Sequence, residues 1–283
     1  MSWLLLILIS VVLSSFVSIL QRIMLKDKDS DPFIFSVVFQ LIVAGLIGAF
    51  ALSTGKLVFS NMSNILVNLI FMTVLYGLGN IFIFKSLKQT EASKFVVIFA
   101  SRALFSTIGF VLILGQSYGL KELVGTILII LSVIIVNYRK GTLSVSKSDI
   151  PALLAGLCFG LANINDKIIL ESIPLYPFVF IAFLFPSLLM LAIKPQIILK
   201  LNTVFNKSLI KTMLITSLFY GIGAITFFSA LQIAEFPSKV VTINLVGVIL
   251  TVFMGILLLK EKDNALLKIV GAVISVVGIY LVS

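Results

Sequence analysis

Histidine is absent from this 283-residue sequence and cysteine occurs once. Without histidine the chain lacks the side chain that most often shuttles protons near neutral pH and ligates metals, so neither a metal nor a cofactor is expected. A single cysteine, Cys158, excludes an internal disulfide, and its apolar surroundings argue against a reactive thiol. Charge is also scarce: 11% of the residues are charged and 60% are hydrophobic, with a mean hydropathy of +1.23. A soluble domain has about a quarter of its residues charged, so water is not the expected solvent of this chain. The formal charge of +10 does not gather into one basic stripe, which removes nucleic acid as an expected partner. No Gly-rich loop ending in Lys-Ser/Thr is present, and there are no paired intramembrane carboxylates or filter-like loop. These absences weigh against ATP-driven transport, a membrane-embedded enzyme and a channel.

What is present is a succession of apolar runs near the ~20 residues that cross a bilayer. Ten spans are predicted, at about 3–22, 33–53, 64–86, 93–114, 120–138, 150–170, 177–193, 209–231, 237–259 and 266–282. Each is read as a helix, because a chain crossing lipid must satisfy its backbone hydrogen bonds within the span, and the short alternating segments of a β-barrel are missing. The first run, from Leu4 to Leu20, follows no basic residue and has no small-residue cleavage site, so it is read as a retained span.

The sequence also repeats itself. Tyr76-Gly77-Leu78-Gly79, with Ile81, Phe84, Leu87 and Glu91, returns 144 residues later as Tyr220-Gly221-Ile222-Gly223, with Ile225, Phe228, Leu231 and Glu235. Ser93-Lys94 matches Ser238-Lys239, Pro32-Phe33 matches Pro177-Phe178, and Gly125 matches Gly271. The expected fold class is therefore an all-α integral membrane protein of ten transmembrane helices in two inverted five-helix repeats, residues 1–140 and 141–283. Inversion follows from the odd number of helices per repeat, and charge tests it independently. The loops after spans one, three, five, seven and nine hold sixteen of the twenty-one Lys and Arg residues, while the other loops hold four and Arg102 sits inside a span. Basic residues concentrate on cytoplasmic loops, so both termini are predicted on the external side, with the chain multi-pass in the cell's inner membrane.

The stretch Gly255-Ile256-Leu257-Leu258-Leu259-Lys260-Glu261, followed by Gly271-Ala272-Val273-Ile274-Ser275-Val276-Val277-Gly278, resembles a signature of EamA-like members of the drug/metabolite transporter superfamily. The resemblance covers essentially the whole chain. It implies a secondary active transporter working by alternating access, with a central cavity between the repeats and helices five and ten set away from it. The substrate class it implies is a small polar metabolite such as an amino acid, exported from the cell, with a sugar or nucleotide sugar as the alternative. The chain departs from the pattern at Gln116, where the first repeat would carry the acidic loop residue, and in its external termini.

Arg102 is the sharpest single feature. Eight residues after Lys94, it lies ~12 Å along the fourth span, near the bilayer midplane. A guanidinium there suits an anionic metabolite, or else it snorkels and fixes packing. On the sixth span, Asn163 and Asp166 fall on neighbouring helical positions and could face the centre together, or simply form a polar helix end. Asp166 is the candidate for coupling to protons. Tyr76, Asn80 and Tyr220 are candidates for hydrogen bonding substrate, as are Gln40 and Asn244, which could equally join helices. Lys94 and Lys239, with Glu91 and Glu235, form two repeat-related sets at opposite faces and read either as alternating gates or as ordinary interfacial charges. Pro186 inside the seventh span predicts a bend. A monomer or a homodimer would satisfy this reading.

The topology makes a direct prediction. A reporter that fluoresces only in the cytoplasm, fused after Ser283, should stay dark in a membrane-inserted chain; a bright fusion would place the C-terminus inside and reverse the assigned orientation.

Overall fold

Residues 2–26, 30–59, 62–102, 104–106, 108, 119–139, 142–143, 146–147, 149–200, 207–234, 240, 243–244, 246–261 and 263–282 are described by the computed structural model. The helices are α1 (Trp3–Leu25), α2 (Pro32–Ser53), α3 (Leu66–Gln89), α4 (Ala92–Phe99), α5 (Leu120–Asn137), α6 (Ile150–Ser172), α7 (Leu175–Ile193), α8 (Lys207–Ile233), α9 (Gly247–Leu258) and α10 (Ala265–Val282). A 3-10 turn precedes α3, and one isolated helical turn, Ile197–Lys200, follows α7. The only extended pairing among the described residues is a two-residue ladder, β1 (Tyr138–Arg139) with β2 (Thr142–Leu143), where the first half gives way to the second.

Local chemistry sets several helix starts. The Ser2 hydroxyl accepts from the Leu5 amide at the head of α1, and the Asp31 carboxylate accepts from the Phe33 amide at 2.8 Å with Pro32 opening α2. Both arrangements satisfy amides that a helix cannot bond internally. Six helices are long and apolar enough to cross a membrane: Trp3–Leu25, Pro32–Ser53, Ser63–Gln89, Ile150–Ser172, Leu175–Ile193 and Leu209–Ile233. Shorter apolar helices cover Leu123–Ser132, Gly247–Leu258 and Ala265–Leu281. Their outer faces are as apolar as the interior; Val67 is 79% exposed, Leu120 77% and Leu266 73%. Such faces would be a liability in water and are at home in hydrocarbon.

The most extensive helix pairs are α1 with α8, α3 with α6, α2 with α7, and α5 with α10. The list maps onto itself when each helix is exchanged for the one five places away. Tight backbone contacts require small residues at some of these seams. A Cβ built on Gly160 of α6 would lie 2.7 Å from the Arg102 carbonyl oxygen, and one on Gly156 would lie 2.7 Å from the Ser101 hydroxyl.

Among the described residues, regular α-helical bonding gives way to tighter bonds at Ala100–Ser101 in the fourth span and at Val246 in the ninth, which the sequence reading does not anticipate. After α4 the backbone turns at Ala100 and Ser101; the Ser101 amide reaches only back to the Ile98 carbonyl (3.1 Å) and the Leu104 amide to Ser101 (2.9 Å). Ahead of α9, Val246 bonds to Ile243 (3.1 Å) and Ile249 to Val246 (3.0 Å). Ser101 and Val246 are 145 residues apart, the same offset as Ser93 and Ser238. Bonds three residues apart tighten a helix locally. No proline lies within four residues of Ser101, so this break has no local sequence signal and is set by packing, with Gly156 and Gly160 seated against it.

Replacing Gly160 by Ala should destabilise the fold by about 1–3 kcal/mol, because backbone atoms cannot yield. Gly45→Ala, where nothing lies within 4 Å of the added methyl, is the control and should leave melting unchanged or raise it. Equal melting temperatures for the two variants in detergent would show that α6 does not press on the break.

Candidate functional site

A cavity of about 190 Å³ opens where α1, α3, α4, α6, α7, α8 and α9 converge. No described residue of α2, α5 or α10 lines it. Its wall gathers six of the predicted site residues, Tyr76, Asn80, Arg102, Asn163, Tyr220 and Asn244, from five helical segments of both halves. Separations of up to 168 residues along the chain become a single site, since Tyr76 and Asn244 face the same space.

Arg102 sits one residue beyond the interruption after α4. Its Nη2 donates to the Asn244 amide oxygen at 3.0 Å, and the guanidinium lies over the Phe99 ring with Cζ 4.8 Å from the centroid. Its Nε is buried and has no hydrogen-bond partner among the described residues. Only two ion pairs occur among those residues, Lys94–Asp149 and Lys268–Glu91, so none of the described carboxylates pairs with Arg102. Asn244 is in turn held by its own amide donating to the Ser10 hydroxyl at 3.4 Å. The interrupted segments thus face each other through one hydrogen bond.

Two predicted residues stand behind the wall rather than on it. Asp166 is 1% exposed and accepts a 2.5 Å hydrogen bond from the Tyr76 hydroxyl; its other oxygen is buried without a partner among the described residues. Gln40 is fully buried on α2, where its side-chain oxygen accepts from the Asn80 amide at 3.4 Å and its nitrogen donates to Ser36. The expectation that Asn163 and Asp166 face the centre together is corrected here. Positions three apart differ by about 60° around a helix, enough to turn Asn163 toward the Ser106 hydroxyl of the fourth span and Asp166 toward α3. Asn165, between them, bonds to Asn68 of α3 instead.

Glu91 and Lys94 each pair with a residue from another part of the chain. Lys94, 5% exposed, pairs with Asp149 at the head of α6 at 2.8 Å, and Glu91 pairs with Lys268 of α10 at 2.5 Å. Glu261, from the turn between α9 and α10, accepts from the Ala92 and Ser93 amides, both at 3.0 Å, and from the Ser93 hydroxyl. A carboxylate there satisfies free amides at the positive end of α4. Arg22 adds donations to the Leu87 and Lys88 carbonyls at the end of α3. The lysine-rich end of the bundle is therefore cross-tied by ions and caps. Lys239 and Glu235 lie outside the described residues.

Sequence reasoning missed Ser10, Ser14, Ser18 and Gln21 on α1 and Thr251 on α9, all of which line the cavity. The α1 residues did leave a signal: spacings of four, four and three place them on one face of a helix. It also missed the aromatic wall of Phe95, Phe99, Phe159, Phe183, Phe227 and Phe228. Phe159 packs edge-on to both Phe99 and Tyr76, and Phe183 edge-on to Tyr220. Phenylalanine is frequent throughout this sequence, so nothing marked these six.

The fold, a bundle of apolar helices around a mixed polar and aromatic cavity, is that of a multi-pass membrane protein. The chain belongs to the EamA-like transporter family, whose model matches residues 1–138 and again 146–283, and so to the drug/metabolite transporter superfamily. It is also similar to a protein of known crystal structure, with a TM-score of 0.66 over 99% of this chain and 95% of the other at 12% identity, a likeness that concerns the fold alone. No curated protein matches the sequence.

Tyr76→Phe should keep the ring packing on Phe159 but strip Asp166 of its hydrogen bond, lowering stability by about 1–3 kcal/mol. Adding Asp166→Leu to that variant should recover part of the loss in a thermal melt. If the double variant melts lower than the single one, Asp166 has stabilising partners other than Tyr76.

Proposed function

We propose that this chain is a secondary active transporter that carries a small metabolite bearing an anionic group through the central cavity by alternating access. The observation that carries the reading is Arg102, a guanidinium without a described carboxylate partner on the wall of a cavity that both halves line. Ten membrane passes in two inverted five-helix halves, divided at 1–140 and 141–283, are part of this proposal. They are supported by helix pairs that map onto themselves on exchanging the halves and by the alternating basic loops. The same loops support external termini in the cell's inner membrane.

Alternating access asks one end of the bundle to open while the other closes. The ion pairs of Lys94 and Lys268, with the Glu261 cap on α4, are the contacts that would have to release at the lysine-rich end. Lys239 and Glu235 would serve the opposite end as the repeat counterparts of Lys94 and Glu91. Tyr76, Asn80, Asn163, Tyr220 and Asn244 would contact substrate. Gln40 would brace Asn80. Asp166, one hydrogen bond from the cavity through Tyr76, is the proposed proton-coupling group. Export is the proposed direction.

The test uses a single reactive position on the cavity wall. In a Cys158→Ser background, Ser14→Cys should react with a membrane-impermeant thiol reagent applied from either face of oriented vesicles. Reaction from one face under every gradient and ligand condition would rule out alternating access. In the same vesicles Arg102→Ala should abolish uptake while the chain still inserts, and wild-type uptake in that variant would remove Arg102 from the path.

A further inference from the structure

We infer that the cavity selects an organic monoanion with an apolar, ring-sized body, and that it discriminates against the zwitterionic form of the same skeleton. The inference rests on the transport reading above and narrows its substrate class.

The first argument is the unused donor capacity of Arg102. A guanidinium offers five N–H groups. Here one hydrogen bond goes to Asn244, while Nε is buried without a described partner and Cζ lies over the Phe99 ring. Inside hydrocarbon an arginine in this condition is costly, and a carboxylate meeting its free N–H edge offsets that cost with charge-assisted bonds. Tyr220, whose ring packs edge-on against Phe39 and Phe183, presents its phenol on the same wall as a second donor. Tyr76 already commits its proton to Asp166. The donors thus gather for one anionic group.

The second argument concerns the rest of the ligand. No acidic side chain is among the described residues lining the cavity, and Asp166 behind Tyr76 already accepts that hydroxyl, so an ammonium entering with a carboxylate would meet no described carboxylate on the wall. In an α-amino acid the ammonium travels beside the carboxylate and would approach Arg102 itself. Two like charges in contact repel each other, more strongly as water is excluded. Cation–π contact could offset part of this, but the face of Phe99 is already covered by the guanidinium. The remaining aromatic wall, including Phe159, Phe183, Phe227 and Phe228, offers edges and faces suited to an uncharged body.

Three probes that share a phenyl-ethyl skeleton separate charge from shape: phenylpropionate, phenylalanine and phenylethylammonium. With the purified full-length chain in detergent, phenylpropionate should raise the melting temperature in a dose-dependent way. Phenylalanine should bind about ten- to a hundredfold more weakly, the scale of one charge-assisted interaction. Phenylethylammonium should not bind, and acetate should need far higher concentrations than phenylpropionate. Arg102→Gln should erase the preference among the probes, and Arg102→Lys should keep the order at reduced affinity.

The wild-type series does not depend on either variant folding. Equal or tighter binding of phenylalanine, binding of phenylethylammonium, acetate matching phenylpropionate, or no response to phenylpropionate would each overturn the inference. Two-sided labelling at Ser14→Cys reports the transport cycle without reference to ligand, so it can succeed where this substrate class fails, and its own failure would be seen separately.

Discussion

An arginine carried into a bundle of bilayer-spanning helices has to be met by something, because hydrocarbon offers its charge no solvation. Much of the central architecture follows from how Arg102 is accommodated. The backbone turns just before it, α6 presents glycines to that turn, Phe99 takes one face of the guanidinium, and Asn244 reaches across from the other interrupted span. These contacts orient the charge without neutralising it. An apolar core at this position would pack more simply, so the buried charge and the polar wall around it stand out from the rest of the bundle.

The two halves share a plan but not all of its chemistry. In one direction Glu261 caps α4 and Lys268 pairs with Glu91, while Lys94 finds Asp149. The repeat-related position of Glu261 is Gln116, which carries no charge, and the position 145 residues before Asp149 is Leu4. The lysine-rich end therefore holds ionic ties with no like-for-like residues at those two positions in the other half.

The serine stripe on α1 and the aromatic wall show where reading by residue type fails. Serine in an apolar span bonds readily to its own helix, as Ser18 does to the Ser14 carbonyl, so it raises no alarm when scanned for chemistry. Phenylalanine is the usual filling of such a bundle. Charged and amide residues are different: their insertion in a span is expensive enough to be noticed one at a time. That is why Arg102, Asn163 and Asn244 were found and Ser10 and Phe227 were not.

Local sequence carries the apolar solvent, the helical membrane class, the family resemblance and six of the residues on the cavity wall, because hydropathy and costly polar insertions are properties of local composition. It also placed most helix ends to within a few residues, since caps such as Asp31-Pro32 act over one turn. Packing settles where helical bonding tightens at Ser101 and Val246, which face of α6 carries Asp166 to Tyr76, and which acid meets which lysine. Those outcomes depend on contacts between residues far apart in the chain, as with Glu261 and Ser93, 168 positions away, and no local pattern encodes them.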